Sequence, residues 1–279
     1  MNKQQIIVVS AVLALGLSIY LFGKMTVLTQ DTTAPVMAAS RGMDNDALLE
    51  IAASNLKPEE REKLTPIMAA LDTVKNDLQK AGLHRSLAAF WDTKSEWAAA
   101  GVHYQAAAEA DPQAVNYMVA GSRYQAAAEV ANDTLLSGFL FNNAISNMEK
   151  ATQLAPNDLD MKSDLANVIV TGTAAPMRGI QSLLDIVKQE PKHLKANAHL
   201  ARLAITSGQH DKAVERYTNL IAWYPAFADA YLGLGEAHFN LGNKEAAIKS
   251  LEQYKGLVRD ESVNNQIDVF INKIKSSTP

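Results

Sequence analysis

The stretch Tyr224 to Tyr254, YPAFADAYLGLGEAHFNLGNKEAAIKSLEQY, decides the fold. Glycine costs about 1 kcal/mol against alanine in a helix interior, so Gly233 and Gly235 on either side of Leu234 demand a packing reason. The design recurs upstream at a constant offset: Pro191 answers Pro225, Leu200 answers Leu234, Ala201 answers Gly235, Gly208 answers Gly242 and Ala213 answers Ala247. A fixed period of this length marks stacked supersecondary units. Pro156 precedes Pro191 by nearly the same offset, and Pro112 precedes Pro156 by a longer one. Each proline follows a helical run: Ala100, Tyr104 and Ala107 ahead of Pro112, then Ala144, Met148 and Ala151 ahead of Pro156.

With the aromatic, Leu-small, Ala and final Pro positions in place, the chain from about Ala81 to Asp260 resembles the tetratricopeptide repeat (TPR) family, helix-turn-helix units of about 34 residues. AYLGLGEAHFNLGNKEAAIKSL and AHLARLAITSGQHDKAVERYTNLIAWYP carry it most fully, with Leu234-Gly235 and Leu200-Ala201 in the first helices. NYMVAGSRY resembles a further first helix and WAAAGVHYQAAAEADP a second helix. The resemblance implies an all-α, right-handed TPR-type helical-hairpin solenoid of about five units, at 81–113, 114–157, 158–193, 194–227 and 228–261. Ala100, Gly121, Ala144, Ala201, Ala213, Gly235 and Ala247 are the expected small contact points, which let bulky side chains of a neighbouring helix enter. Two units are irregular. AAAEVANDTLLSGFLFNN lies where a tight turn belongs, so that unit has extended helices or a protruding loop, and VTGTAAPMRGI places Gly172, Pro176 and Gly179 around the next turn.

The flanks differ from the repeats. IIVVSAVLALGLSIYLF, Ile6 to Phe22, runs without a charge between Lys3 and Lys24. At 1.5 Å per residue it spans roughly 26 Å, adequate for a bilayer core. It is read as a transmembrane signal anchor over residues 1–24, because the apolar run is long for a signal peptide and no small-x-small cleavage site follows closely. A linker follows over 25–42, then a helical adaptor over 43–80, in which MDNDALLEIAASNL begins on Asp44 or Asn45. In TPIMAALDTVKNDLQKAG, Thr65 reads as N-cap, Pro66 as the first helical residue, Gly82 as the stop, and Ile67, Leu71, Val74 and Leu78 as one apolar face. Residues 262–279 form a capping helix and tail, with Val263, Ile267, Phe270 and Ile274 on one face.

Composition narrows function. The net charge is −4 with no basic stripe, which argues against nucleic acid, and the absence of cysteine excludes disulfides and thiolate metal sites. His84, His103, His193, His199, His210 and His238 include no pair at one-turn helical spacing, so no metal site is expected. GTAAPMRG lacks the Gly-Lys-Ser/Thr of a phosphate loop, and no catalytic constellation is present; an enzyme is not expected, nor any cofactor.

What the resemblance implies is binding of a protein or peptide partner along the first helices. Projected onto that geometry, Arg85 and Asp92, Met118 and Ser122, Ser163 and Asn167, Lys195 and Arg202, and Asp229 and Glu236 face the groove. Family members that bind chaperones clamp a C-terminal carboxylate with Lys, Asn and Arg. Asn167 and Arg202 match in type, whereas Ala198 stands where a clamp lysine is expected. The expectation is a non-enzymatic scaffold or chaperone-like adaptor, single-pass in the cytoplasmic membrane of a bacterium, with its repeats periplasmic or otherwise extracytoplasmic. The alternative is a soluble periplasmic accessory or regulatory subunit released by signal cleavage.

Overall fold

The computed structural model describes residues 43–276. The expected anchor and linker lie outside them, and no helix among the described residues is long and apolar enough to cross a membrane. The described residues form thirteen helices and no strand. In order they are α1 (Asn45–Ser54), α2 (Pro58–Thr73), α3 (Asp77–Thr93), α4 (Trp97–Ala110), α5 (Ala114–Val130), α6 (Thr134–Leu154), α7 (Leu159–Gly172), α8 (Pro176–Gln189), α9 (Leu194–Thr206), α10 (His210–Trp223), α11 (Ala228–Asn240), α12 (Lys244–Leu257) and α13 (Glu261–Ser276). Contacts divide them into two compact units, residues 43–191 and 192–276. Short connections fold consecutive helices back on one another, giving the pairs α3–α4, α5–α6 and α7–α8 in the first unit and α9–α10 and α11–α12 in the second.

Turn chemistry explains the pairing. Gly208 and Gly242 take φ of +74° and +80°, the left-handed conformation in which glycine avoids the Cβ penalty. The amides that follow reach back across the helix end, Gln209 N to Ala204 O at 2.8 Å and Asn243 N to His238 O at 2.9 Å. The α3–α4 turn makes the same reach, Glu96 N to Trp91 O at 3.1 Å, with Ser95 at φ 58° instead of a glycine. Around the α5–α6 turn the sequence leaves open a loop or longer helices. The structure has longer helices, of 17 and 21 residues, with Asp133 capping α6 through Leu136 N at 2.7 Å.

In the unit 43–191, one apolar cluster joins Leu48 to Val102, Tyr124, Leu140, Met148 and Val168, and a second joins Ala52, Leu56 and Leu64 to Leu87, Trp91 and Ala100. Helix α1 begins after Asp44, whose carboxylate accepts from Ala47 N at 2.8 Å. It is tied to the repeats by the Tyr124 hydroxyl, 3.3 Å from Asn45 Oδ1 and 3.1 Å from Gln105 Oε1.

The adaptor reading is corrected at three points. Helix α2 starts at Pro58, where proline at the first turn and Glu59 and Glu60 form an earlier start signal, so Thr65 is mid-helix and donates back to Arg61 O at 3.2 Å. Pro66 therefore sits inside the helix. The chain breaks at Val74, Asn76 caps α3 through Gln79 N at 3.0 Å, and α3 runs through Gly82 and across the expected 80/81 boundary. Leu78 consequently leaves the apolar face and is 64% exposed, while Ile67 and Leu71 pack on the α3 cluster.

In the unit 192–276, Ala201, Ala213, Tyr217, Leu220, Ala230 and Ala237 form one cluster. Ile267, Ile271 and Ile274 of α13 are buried on Leu251 and Tyr254, with Val263 and Phe270 partly buried beside them. The glycines resolve the question posed by the sequence. A Cβ on Gly233 would lie 2.2 Å from Tyr217 Cζ, and one on Gly235 would lie 2.9 Å from Leu251 Cγ and 3.3 Å from Ala247 O. In the other unit, a Cβ on Gly121 would meet Met148 Cγ at 2.6 Å and Ala144 O at 3.0 Å. Ala100, Ala144, Ala201, Ala213 and Ala247 are all fully buried. Gly179 is no turn residue: it lies in the first turn of α8, where a Cβ would sit 2.3 Å from Ala166 O.

Candidate partner-binding faces

First helices α3, α5 and α7 hold the expected groove residues of the unit 43–191; those of α3 and α5 are bonded within the protein, whereas Ser163 Oγ on α7 is buried and meets no hydrogen-bond partner. Arg85 Nη1 pairs with Asp111 Oδ2 at 3.2 Å. Hydrogen bonds from Gln113, Arg85 and Asn116 hold the Asp111 carboxyl below the usual carboxylate range against the opposing effect of desolvation. Met118 packs against two apolar clusters, and the Ser122 hydroxyl donates to Met118 O at 2.8 Å. Asp92 is bridged from two other helices: Arg123 Nε donates to Oδ1 at 2.7 Å and the Tyr104 hydroxyl to Oδ2 at 3.1 Å, with the Arg123 guanidinium 5.7 Å from the centre of the Tyr104 ring. Burial first, and the Asp92 charge second, push the Tyr104 hydroxyl up.

Ser163 and Asn167 depart from expectation. They are 0% and 5% exposed, on the same face of α7 as buried Ala166, and so they line no open groove. One turn apart and small enough to sit in a helix contact, they follow the buried periodicity of α7, which polarity alone does not reveal.

In the unit 192–276 the arrangement is different. Lys195 is half-buried and Arg202 exposed on α9, with Arg202 Nη2 at 3.4 Å from His199 Nδ1. Asp229 and Glu236 occupy the equivalent places on α11, one repeat later. Beneath them is the buried Tyr217 of α10. Burial raises the proton affinity of its hydroxyl most, Glu236 and Asp229 raise it further, and Arg202 opposes them, so all three charges lie within electrostatic reach of one phenol. Burial also pushes the Glu236 carboxyl above the usual range. The face is bipolar: a basic helix beside an acidic one.

Two cavities have no counterpart in the sequence reading. A cleft of about 420 Å3 opens between α6, α7 and α8, floored by Leu165, Ala166 and Ile169 and edged by Lys162 and Asp185. A smaller pocket of about 190 Å3 lies between α9 and α10, at Asn197, Lys212, Glu215 and Arg216. The strongly amphipathic pattern of α8, in which Asp185 at the edge adjoins buried Ile186, is the available sign of the first. Among the described residues no group of three His, Asp or Glu side chains is placed to hold a metal ion.

Residues 199–261 match the family model for the tetratricopeptide repeat. The described helices have the same fold as solved proteins of that kind. A tetratricopeptide repeat protein from Parabacteroides merdae is 15% identical, with a TM-score of 0.57 over 84% of this chain and 88% of its own. A thermophilic TPR protein of Thermus thermophilus is 14% identical, with a TM-score of 0.51 over 70% of this chain and 98% of its own. PilW, described as a widely conserved type IV pilus biogenesis factor, is 16% identical, with a TM-score of 0.52 over 71% of this chain and 86% of its own. Comparison with curated proteins finds no match. The described residues thus have an all-α, TPR-like fold, and residues 199–261 carry TPR sequence.

Proposed function

We propose that this chain is a non-enzymatic scaffold or chaperone-like adaptor, tethered to a bacterial membrane by Ile6 to Phe22, whose repeats over 81–261 hold a partner polypeptide outside the cytoplasm. The observation that carries the reading is the bipolar face of α9 and α11, with Lys195 and Arg202 one repeat away from Asp229 and Glu236. Guanidinium and ammonium groups on a half-exposed surface favour a carboxylate, and Arg offers two directed donors to it. The neighbouring acids disfavour a purely anionic ligand, so the matching partner is a peptide with a carboxylate toward α9 and a basic side chain toward α11. Arg85 and Arg123 are paired with Asp111 and Asp92, which leaves the first helices α3 and α5 little net charge to offer a ligand. Asn167, being buried, is left out of the contact.

The test is quantitative crosslinking of the full chain in native membranes. Arg202→Ala should weaken recovery of the specific partner, by about 1–3 kcal/mol in a subsequent affinity measurement, and added salt should weaken the wild type more than the variant. Deletion of Met1 to Lys24 should release the protein from carbonate-washed membranes. Unchanged partner affinity in Arg202→Ala would move the contact off this face, and a mature N-terminus near Ser40 would replace the tether with a released subunit.

A further inference from the structure

We propose that His84 and His103 form a binding site for one divalent transition-metal ion of the zinc class, held by the two Nδ1 atoms, with water completing its coordination. The residues are 19 apart in sequence and lie on α3 and α4, yet their Nδ1 atoms are 3.2 Å apart, with ring centres at 5.5 Å and planes inclined by 31°. Two neutral imidazoles facing nitrogen to nitrogen share a single proton, one donating and one accepting. When the donating ring carries its proton on Nε2 instead, the other neutral tautomer, both Nδ1 lone pairs are open to one metal ion.

The distance fits. Zinc–imidazole bonds of about 2.0–2.1 Å at a tetrahedral angle place the two nitrogens about 3.3 Å apart, and at a right angle about 2.9 Å. The observed separation falls between these values. The supporting hairpin is closely packed: Ala81, Ala88, Ala99, Ala100 and Ala107 on the two helices are buried. The rings are therefore presented by a fixed frame, which limits the ordering needed on binding.

Electrostatics support the site at neutral pH. Burial lowers the proton affinity of His103 most, with a smaller contribution from His84, and burial followed by the Lys80 charge lowers that of His84. Both rings are then neutral and their lone pairs available. Lys80, one turn before His84, opposes a cation, and Glu109 on α4 favours one. With two protein ligands, fewer than the three or four of ordinary zinc sites, the site is an open one, and both histidines are only partly buried, which admits water. This inference does not depend on the binding face of α9 and α11.

The experiment uses the full chain in detergent, stripped of metal and titrated with Zn2+ alone by calorimetry, with thermal unfolding as a second readout. One ion should bind per chain and raise the unfolding temperature. His84→Gln and His103→Gln should each weaken binding at least tenfold with circular dichroism unchanged, whereas His210→Gln and His238→Gln should leave it intact. Because His103→Gln acts in a packed hairpin, Cu2+ bound to the unaltered protein gives an independent check: its electron paramagnetic resonance should show coupling to two imidazole nitrogens. The proposal is overturned by unchanged Zn2+ affinity in His84→Gln, by the absence of saturable binding at millimolar Zn2+, or by a Cu2+ spectrum with one nitrogen or none.

Discussion

Replacing Gly233 by alanine adds one methyl group in the most crowded place described. The new Cβ would lie 2.2 Å from Tyr217 Cζ and 2.6 Å from both Cε atoms. Carbon atoms settle at about 3.5–4.0 Å, so the ring must retreat by on the order of 1 Å or the helices α10 and α11 must part. Retreat is obstructed, because Tyr217 is 6% exposed and its cluster includes Ala201, Leu220 and Ala230. Overpacking of this kind costs about 1–3 kcal/mol, and the rigidity of the ring places it in the upper part, at about 2–3 kcal/mol. The gain in helix propensity returns about 1 kcal/mol. The net expectation is a loss of about 1–2 kcal/mol. Gly256→Ala is the control: no heavy atom lies within 4 Å of its Cβ position, so propensity acts alone, and it should gain up to about 0.5 kcal/mol near its helix end. Urea unfolding followed by far-UV circular dichroism measures both, and hydrogen exchange should localise the first effect to α10, α11 and their neighbours, because stability in such arrays is local. In a Tyr217→Leu background the cost of Gly233→Ala should largely vanish, a coupling that a double-mutant cycle reads directly. If Gly233→Ala stabilises the protein as Gly256→Ala does, the close approach of Tyr217 is not what selects glycine there.

Acid should weaken the α3–α4 hairpin through His103, whose pKa is lowered from 6.5 to about 4, chiefly by burial and then by His84. The folded protein then binds fewer protons than the unfolded chain between these values, so the contribution of about 3 kcal/mol is complete above pH 6.5 and is lost as pH falls toward 4. Thermal unfolding over this range should show a slope that His103→Leu removes, and equal slopes in the two proteins would refute the assignment. Ser95→Gly should stabilise the protein by about 0.5–1 kcal/mol, read as a higher urea midpoint, because Ser95 holds φ 58° in a turn where Gly208 and Gly242 serve elsewhere. A lower midpoint would show that the serine conformation is not strained.

Legibility follows the range of the interactions. The repeat period is readable in α9 to α12 because the small residues and the turn glycines answer strictly local demands, a close helix contact and a left-handed turn. The start of α2 is harder to place because two start signals, Pro58 and Pro66, compete along one stretch, and the earlier one prevails, with Leu64 buried in the helix it begins. Gly82 misleads for the opposite reason: it sits in open space on α3 and reports neither a turn nor a contact. Polarity is a poor guide to the groove, since Ser163 and Asn167 are buried. The His84–His103 contact escapes a search for one-turn spacing because it crosses between two helices. Its sign in the sequence is the way the two residues flank the Lys94–Glu96 connection at comparable distances, which an antiparallel pair sets side by side.

The two units use similar helix pairs for different electrostatic ends. In the unit 43–191, Asp92 on α3 and Arg123 on α5 join two successive first helices, and Asp111, beside the α4–α5 turn, ties Arg85 to the same frame. Such pairs contribute modest stability where partly exposed, but they fix spacing and leave little net charge to attract a ligand. In the unit 192–276, equivalent positions instead carry basic residues on α9 and acidic residues on α11, and the phenol of Tyr217 beside them is buried. Truncating one member of the first kind of pair acts on packing. Truncating Arg202 removes a positive charge from a surface already containing Asp229 and Glu236, and so repels any carboxylate that the wild type would admit. A partner that matches the face of α9 and α11 carries both signs of charge, set one repeat apart.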